Sequence, residues 1–367
     1  MNSIIREINK ETRHEKVSVQ VFSQAVLQSA KIAFSCRNVP IDRIATLIAG
    51  EIRPRAGDLV LAHVDALGQH KGIETRGGRR SNLFPGDKII VSYGDRYAPD
   101  QFEAEVPADL SPCSLVAAGG MAAQVLCKHA AMATATAITP IGLVGDHQGK
   151  RINLADWSLP YPTAHKGSPY TFAVLGTSMN AGKTTTAANL IRGLVTAGLK
   201  VGAAKITGTG APNDVGFMRD AGASPVFDFT DAGHPSTYRL SAEQIEAILA
   251  TLTHHLAEAG VDAIVLEIAD GLLQPETEVL SASKRFASHV DGIIFAAGDA
   301  MGAAWGVEIL RRHQLPVFAV SGLLTGSPLA SREAEKAIGL PVYTMKDLSS
   351  ATIAEALNLN ALSRRCA

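Results

Sequence analysis

The residues in this sequence most able to do chemistry are a lysine set between glycine and threonine, a second lysine after it, and acidic residues placed in or just after apolar runs. The first group stands in Gly176-Thr177-Ser178-Met179-Asn180-Ala181-Gly182-Lys183-Thr184-Thr185-Thr186. The apolar run 170–175 before it reads as a buried strand. Residues 187–198 after it carry apolar side chains at helical spacing and end on Gly198. A strand, a glycine-bounded loop and a helix opening on Gly-Lys-Thr is the context of a phosphate-binding loop. There the main-chain amides of 176–185 and the helix N-terminus make a positive concavity. Lys183 adds charge at the outer phosphates, and the Thr184 hydroxyl can ligate Mg2+. Five residues separate Gly176 from Gly182, one more than the usual interval, and Thr177 stands where the first glycine is expected. The competing reading is a structural turn that binds nothing.

Ligands gather beyond the carboxyl ends of the strands of a parallel sheet, which directs attention to the ends of the other apolar runs. Run 200–206 closes on Lys205, followed by Thr207-Gly208-Thr209-Gly210. Lys205 either faces a terminal phosphate or an acidic substrate, or lays its stem on the sheet rim with its charge in water. Run 261–268 contains Glu267. A carboxylate in an apolar strand is costly unless it is paired or holds a cation, so Glu267 is the second Mg2+ candidate. Asp270 is next, although an aspartate before glycine is common for backbone reasons alone. Asp214 can complete the metal shell or position a nucleophile, and Asp220 reads as a helix-surface charge. Asp228, Asp231 and His234 line a substrate pocket or are turn residues. Loops 297–302 and 321–328 are base-pocket candidates. The expected set is thus Lys183, Lys205, Asp214 and Glu267 for catalysis, and Thr184, Asp214 and Glu267 for the metal. Residues 176–185 are expected to hold the nucleotide.

Farther upstream stand His63, Asp65, His70, Arg79, Arg80, Arg96 and Tyr97. His63 and Asp65 share a strand face while His70 lies across an expected turn, so no metal is expected there. Cys127 and His129, placed on an expected helix, point apart.

The chain has 367 residues, 46% hydrophobic and 19% charged, with a formal net charge of -1. That length fits two domains, and the charge points to neither a nucleic acid nor a membrane surface. Cys36, Cys113, Cys127 and Cys366 form no CxxC pair, which favours a reducing compartment. The charged start of the chain and the lack of a spanning apolar stretch lead to the expectation of a cytoplasmic protein.

Residues 22–31 form an amphipathic piece within a mixed lead-in. Short alternating runs with Gly-Gly, Pro-Gly and Gly-Asp punctuation over 58–93 suggest hairpins in a small β-barrel or curled sheet. Residues 115–135, opening near Gly119-Gly120, read as a small-residue helix, and 140–146 as a strand and turn. A proline-bracketed linker at 159–169 separates a β-rich domain, 1–168, from a phosphate-loop domain, 169–367. Beyond it, apolar runs at 200–206, 261–268, 290–297, 315–321 and 340–343 alternate with helical patterns. One helix opens on a capping box at Ser241 and Gln244, and another follows Ser331. The fold class is α/β: a parallel sheet covered by helices on both faces, with a smaller β-rich domain before it.

The loop from Gly176 to Thr184 resembles that of dethiobiotin synthetase, which also begins Gly-Thr and has the same five-residue interval. Lys205 followed by Thr-Gly is similar to that family's substrate-side lysine, and residues 266–271 resemble its Mg2+-holding glutamate turn. The resemblance covers about residues 170–330. The wider group includes the molybdopterin-guanine dinucleotide accessory GTP-binding proteins and a P-loop family with D-glutamate N-acetyltransferase members. Lys205 is followed by Ile206 rather than proline and Glu267 by Ile268 rather than glycine, and the β-rich domain has no counterpart in the synthetase. The resemblance therefore implies the fold and the nucleotide–Mg2+ geometry, not the substrate. The leading expectation is an ATP- and Mg2+-dependent ligase or kinase acting on a small anionic acceptor, with GTP as the other nucleotide. The alternatives are an acyltransferase holding coenzyme A on the loop and a nucleotide-dependent accessory or switch protein. A homodimer is left open.

Overall fold

The computed structural model describes residues 17–162 and 169–359. Two separate sheets organise it, one before the gap and one after.

The first contains β1 (Val17–Val21), β2 (Lys31–Ile32), β3 (Thr46–Gly50) and β4 (Leu59–Ala66), with α1 (Gln24–Ser29) between β1 and β2. The hairpin β5 (Gly72–Glu74) and β6 (Arg80–Asn82) stands apart from it. The sheet continues in β7 (Lys88–Tyr93), β8 (Arg96–Tyr97), β9 (Phe102–Glu105), β10 (Cys113–Ala117), β11 (Met121–Lys128) and β12 (Thr136–Gly145). Pairing runs β12–β4–β7–β11–β10 and returns from β10 to β12, so five strands close into a small barrel. β3 and β1 extend it from β12, and β9 and β8 from β11. Closure leaves no edge within the ring and encloses a core including Leu59, Leu61, Ile89, Val91, Leu115 and Ile138.

Residues 115–135 are therefore strand and turn, not a helix. Gly119-Gly120 is the connection between β10 and β11, with Gly120 at φ 99°. The small side chains that suggest helix packing instead permit close backbone approach. A Cβ on Gly119 would overlap the Gly210 carbonyl of the second half. Cys127 lies on β11, where it donates to Glu103, 3.4 Å away.

The second sheet comprises β13 (Tyr170–Gly176), β14 (Val201–Lys205), β15 (Val226–Asp228), β16 (Ala263–Glu267), β17 (Gly292–Ala296) and β18 (Val317–Ser321). All six are parallel, in the order β15-β14-β16-β13-β17-β18. The longer helices are α2 (Lys183–Thr196), α3 (Pro212–Asp220), α4 (Ala242–Glu258), α7 (Ala300–Arg312) and α8 (Pro328–Ile338). Shorter ones are α5 (Pro275–Ser281), α6 (Lys284–His289), α9 (Met345–Leu348) and α10 (Thr352–Ala356). Two separate apolar clusters flank the sheet: Leu249, Leu266 and Phe295 belong to one, and Leu190, Val265 and Ile294 to the other. Alternate strand residues thus bury on opposite faces, as a sheet covered on both sides requires.

The Ser241–Gln244 capping box opens α4. The later helix starts at Pro328, capped by Ser327 rather than by Ser331, because proline at the first turn needs no amide partner. Run 340–343 makes only a bridge between Val342 and Val320. Part of the proposed linker, 163–168, and Cys366 lie outside the described residues.

Candidate active site at the end of the parallel sheet

The loop 176–184 leaves β13 and enters α2. Two residues give it its shape: Asn180 at φ 64° and Gly182 at φ 95°. At Gly182 this left-handed conformation is nearly free, and a side chain would also press on Gly322, whose Cα lies 3.1 Å from the Cβ position. The first bond inside α2 runs from the Thr186 amide to the Gly182 carbonyl, 2.9 Å. The amides of Lys183, Thr184 and Thr185 therefore have no acceptor within the helix, which leaves an N-terminus suited to an anion. Lys183 arches back over the loop and donates to the Ser178 carbonyl at 2.7 Å. Burial lowers its pKa, against the pull of Glu267 and Asp270.

The sheet register then brings the other groups together. Lys205 and Glu267 are partners on adjacent parallel strands, and Val174, just before the loop, pairs with Glu267 on the other side. The Thr184 hydroxyl donates to Glu267 Oε1 at 2.7 Å and lies 3.4 Å from Asp214 Oδ1. Lys205 is 8% exposed and ion-paired with Asp214, which the first turn of α3 supplies. Thr184, Lys205, Asp214 and Glu267 thus form one cluster beneath the loop, with Lys183 near enough to interact with both carboxylates.

The two carboxylates differ in environment. Burial, then the charge of Asp214, raises the pKa of Glu267, and its Oε2 is buried without a hydrogen-bond partner among the described residues. At Asp214 burial also pushes upward, but Lys205 outweighs it and the net shift is down. A buried acceptor with no donor is expensive. Together with a threonine hydroxyl and a second carboxylate, it is a donor set that suits Mg2+, which binds through one or two carboxylates and keeps several other oxygens. Among the described residues, no group of three or more His, Cys, Asp or Glu side chains makes a protein-only metal cage.

Asp270 follows at φ 61°, with its pKa raised by burial against the charges of Lys183 and Lys205. A Cβ on Gly271 would overlap the Thr177 carbonyl, so this turn lies directly against the loop. Loop 321–328 touches the site through Gly322 and Leu323, whose amide donates to the Ala181 carbonyl at 3.1 Å.

Other candidates are placed elsewhere. Asp228 and Asp231 do not line the crevice; both accept from Arg37 of the first half, at 3.0 and 2.9 Å. The buried Asp228 and the half-buried Asp231 at that strand end join the two halves. His234 is half-buried nearby, and Asp220 ends α3. His63 and Asp65 interact at 2.9 Å on an exposed surface, while His70 is buried against Phe102, with ring centres 5.8 Å apart.

Sequence reasoning gave the first half a place over the crevice and named Arg96 and Tyr97, but it did not place those two in the lining and it missed Asp100 and Gln101. The crevice, about 560 Å³, is lined by Lys183, Thr184, Lys205, Asp214 and Glu267 and also by Arg96, Tyr97, Asp100 and Gln101. Asn180 donates to Asp100 at 3.0 Å. The only sequence signal was a cluster of polar residues after a predicted strand.

No protein-family model matches the chain, and no curated protein does. Among solved structures it is similar to the signal recognition particle 54 kDa protein from Aeropyrum pernix K1 in complex with GDP. Identity is 19%, coverage 57% of this chain and 51% of that one, and TM-score 0.36. It is also similar to the signal recognition particle receptor FtsY from Elizabethkingia anophelis, with 16% identity, 57% and 74% coverage and TM-score 0.35. A third is the cell division protein FtsY from Thermotoga maritima, with 14% identity, 55% and 71% coverage and TM-score 0.33. The chain spans about half the length of the first of these. The class defined by its own strand–loop–helix unit and parallel sheet is the P-loop NTPase fold. Among the described residues, no helix is long and apolar enough to cross a membrane.

Proposed function

We propose that the chain is an ATP- and Mg2+-dependent enzyme that transfers a phosphoryl group to a small anionic acceptor, as a kinase or ligase. The observation that carries this reading is the convergence of Thr184, Asp214 and Glu267 beside Lys183, with the buried Glu267 Oε2 left without a donor. Loop residues 176–185 would hold the nucleotide phosphates through main-chain amides. Thr184 and Glu267, with Asp214, would hold Mg2+, which when bound neutralises phosphate charge. Lys183 would stabilise charge on the transferring group, and Lys205 would orient the acceptor while fixing Asp214. Such chemistry is chiefly positioning and electrostatics and needs no dedicated protein nucleophile.

The likeness of Lys205 and Glu267 to the corresponding positions of dethiobiotin synthetase supports the same division of labour. The substrate does not carry over, because the wall supplied by the first half is additional. A thermal-shift screen with ATP, GTP and acetyl-CoA, each with and without Mg2+, tests the reading. ATP is expected to stabilise the protein in a Mg2+-dependent way, and Lys183→Ala to abolish the shift. Stabilisation by acetyl-CoA alone would remove phosphoryl transfer and favour an acyltransferase.

A further inference from the structure

The first half does more than pack against the phosphate loop. Arg96, on the two-residue strand β8, lines the same crevice as Lys183, Thr184 and Glu267. It is 6% exposed, and only its Nη2 is engaged, donating to Gln101 Oε1 at 2.9 Å. Nε and Nη1 are buried without a partner among the described residues. Guanidinium donors are seldom left unpaired in a protein interior, because the desolvation cost is then uncompensated. Asp100 and Asp270 act on Arg96 through charge, yet neither hydrogen-bonds to it. Asp100 instead accepts from Asn180 of the phosphate loop, which ties the Arg96 segment to the loop itself.

We propose that Arg96 binds an oxyanion in this crevice, across from the phosphate loop, so that the functional site is shared between the barrel and the parallel sheet. The proposal rests on the nucleotide reading above. The ligand class is a carboxylate or phosphoryl group, the anions that guanidinium recognises best. Two sources fit that chemistry: the phosphoryl group in transit and the carboxylate of the acceptor.

The two are separated by titrating the full-length protein calorimetrically with Mg–ADP, then with aluminium fluoride or malonate added to the Mg–ADP complex. The expected result is that wild type binds Mg–ADP and gains at least about tenfold in affinity with one of the additives. Aluminium fluoride would identify the phosphoryl group and malonate the acceptor carboxylate. Arg96→Met should bind Mg–ADP within about twofold of wild type and lose that gain, while Arg96→Lys keeps part of it. Arg96→Met should unfold, without ligand, close to the wild-type temperature, since the desolvation cost it removes offsets the charge balance it takes from Asp100 and Asp270. A merely structural arginine would give a destabilised variant with the additive response intact. Wild type that binds Mg–ADP but answers to neither additive, or a Met variant that responds like wild type, overturns the Arg96 site and leaves the nucleotide reading standing. Wild type that does not bind Mg–ADP sinks both.

Discussion

Glu267 receives the Thr184 hydroxyl at 2.7 Å while its other carboxylate oxygen, deep in the protein, has no donor among the described residues. Half of the group is satisfied by the phosphate loop and half is left for something else. Its neighbours on the sheet explain how it survives there: Lys205 is its register partner, and Lys183 adds a second positive charge.

Glu267→Gln separates metal binding from folding. The amide keeps the shape and can still accept from Thr184, but it is a poor ligand for a hard cation. Mg2+-dependent tightening of ATP should fall by about 10–100-fold, with affinity in EDTA unchanged, as measured by calorimetry. The stability effect follows from the raised pKa. The folded state keeps the proton longer than the unfolded state, so ionisation costs stability as pH rises from the unfolded value towards the folded one. The variant lacks that loss and should be at least as stable as wild type at neutral pH. A destabilised variant with normal Mg2+ dependence would mean that Glu267 is structural.

Lys205 and Asp214 should behave as one unit. Lys205 is held by Asp214 and also offsets Glu267, which together raise its pKa against burial. Lys205→Met would leave two acids uncompensated and should cost about 3–5 kcal/mol in denaturant unfolding. Lys205→Met combined with Asp214→Leu should recover at least about 1 kcal/mol of that loss. Strict additivity in this cycle would show that the pair does not interact.

How far the sequence revealed the site depends on whether the relevant signal was local. The loop 176–185 and Lys205 were legible because each sits where an apolar run meets glycine or threonine, and Glu267 because it is a carboxylate inside an apolar run. The spatial order that places β16 directly between β14 and β13 was not, since strand order depends on crossovers that no local pattern encodes. Residues 115–135 misled because Ala and Gly carry little periodic information. Their smallness serves the approach of Gly119 to Gly210, a contact between distant parts of the chain. Arg96 was visible as a residue but not as part of the crevice, and Arg37 gave no signal of its tie to Asp228 and Asp231.

That tie predicts coupling between the halves. The Arg37 guanidinium bonds to Asp228, Asp231 and Thr230, and its stacked position over Phe34 fixes it from the other side, 4.2 Å from the ring centre. Asp228 is fully buried and paired in register with Lys205. Arg37→Met should therefore cost about 3–5 kcal/mol and split a single calorimetric unfolding transition into two. One transition at an unchanged midpoint would show that the clasp does not couple the halves.

The last prediction concerns acid. His70 is buried beside Phe102, and burial, reinforced by the charge of Arg96, lowers its pKa to about 4 from 6.5. The unfolded chain takes up the proton near pH 6.5, whereas the folded protein resists it until about pH 4. Protonation therefore favours unfolding: the contribution is neutral above pH 6.5, and stability falls steadily as pH drops through that window. The drop attributable to this residue is about 3 kcal/mol, because each tenfold loss of proton affinity is worth roughly 1.4 kcal/mol. Denaturant unfolding at pH 7 and pH 4.5 should show a smaller loss for His70→Leu than for wild type. Because Arg96 lies close enough to bias His70, oxyanion binding at Arg96 should also weaken the acid sensitivity of the wild type, and the Leu variant should not share that effect. Identical pH profiles for the two proteins would place His70 outside this balance.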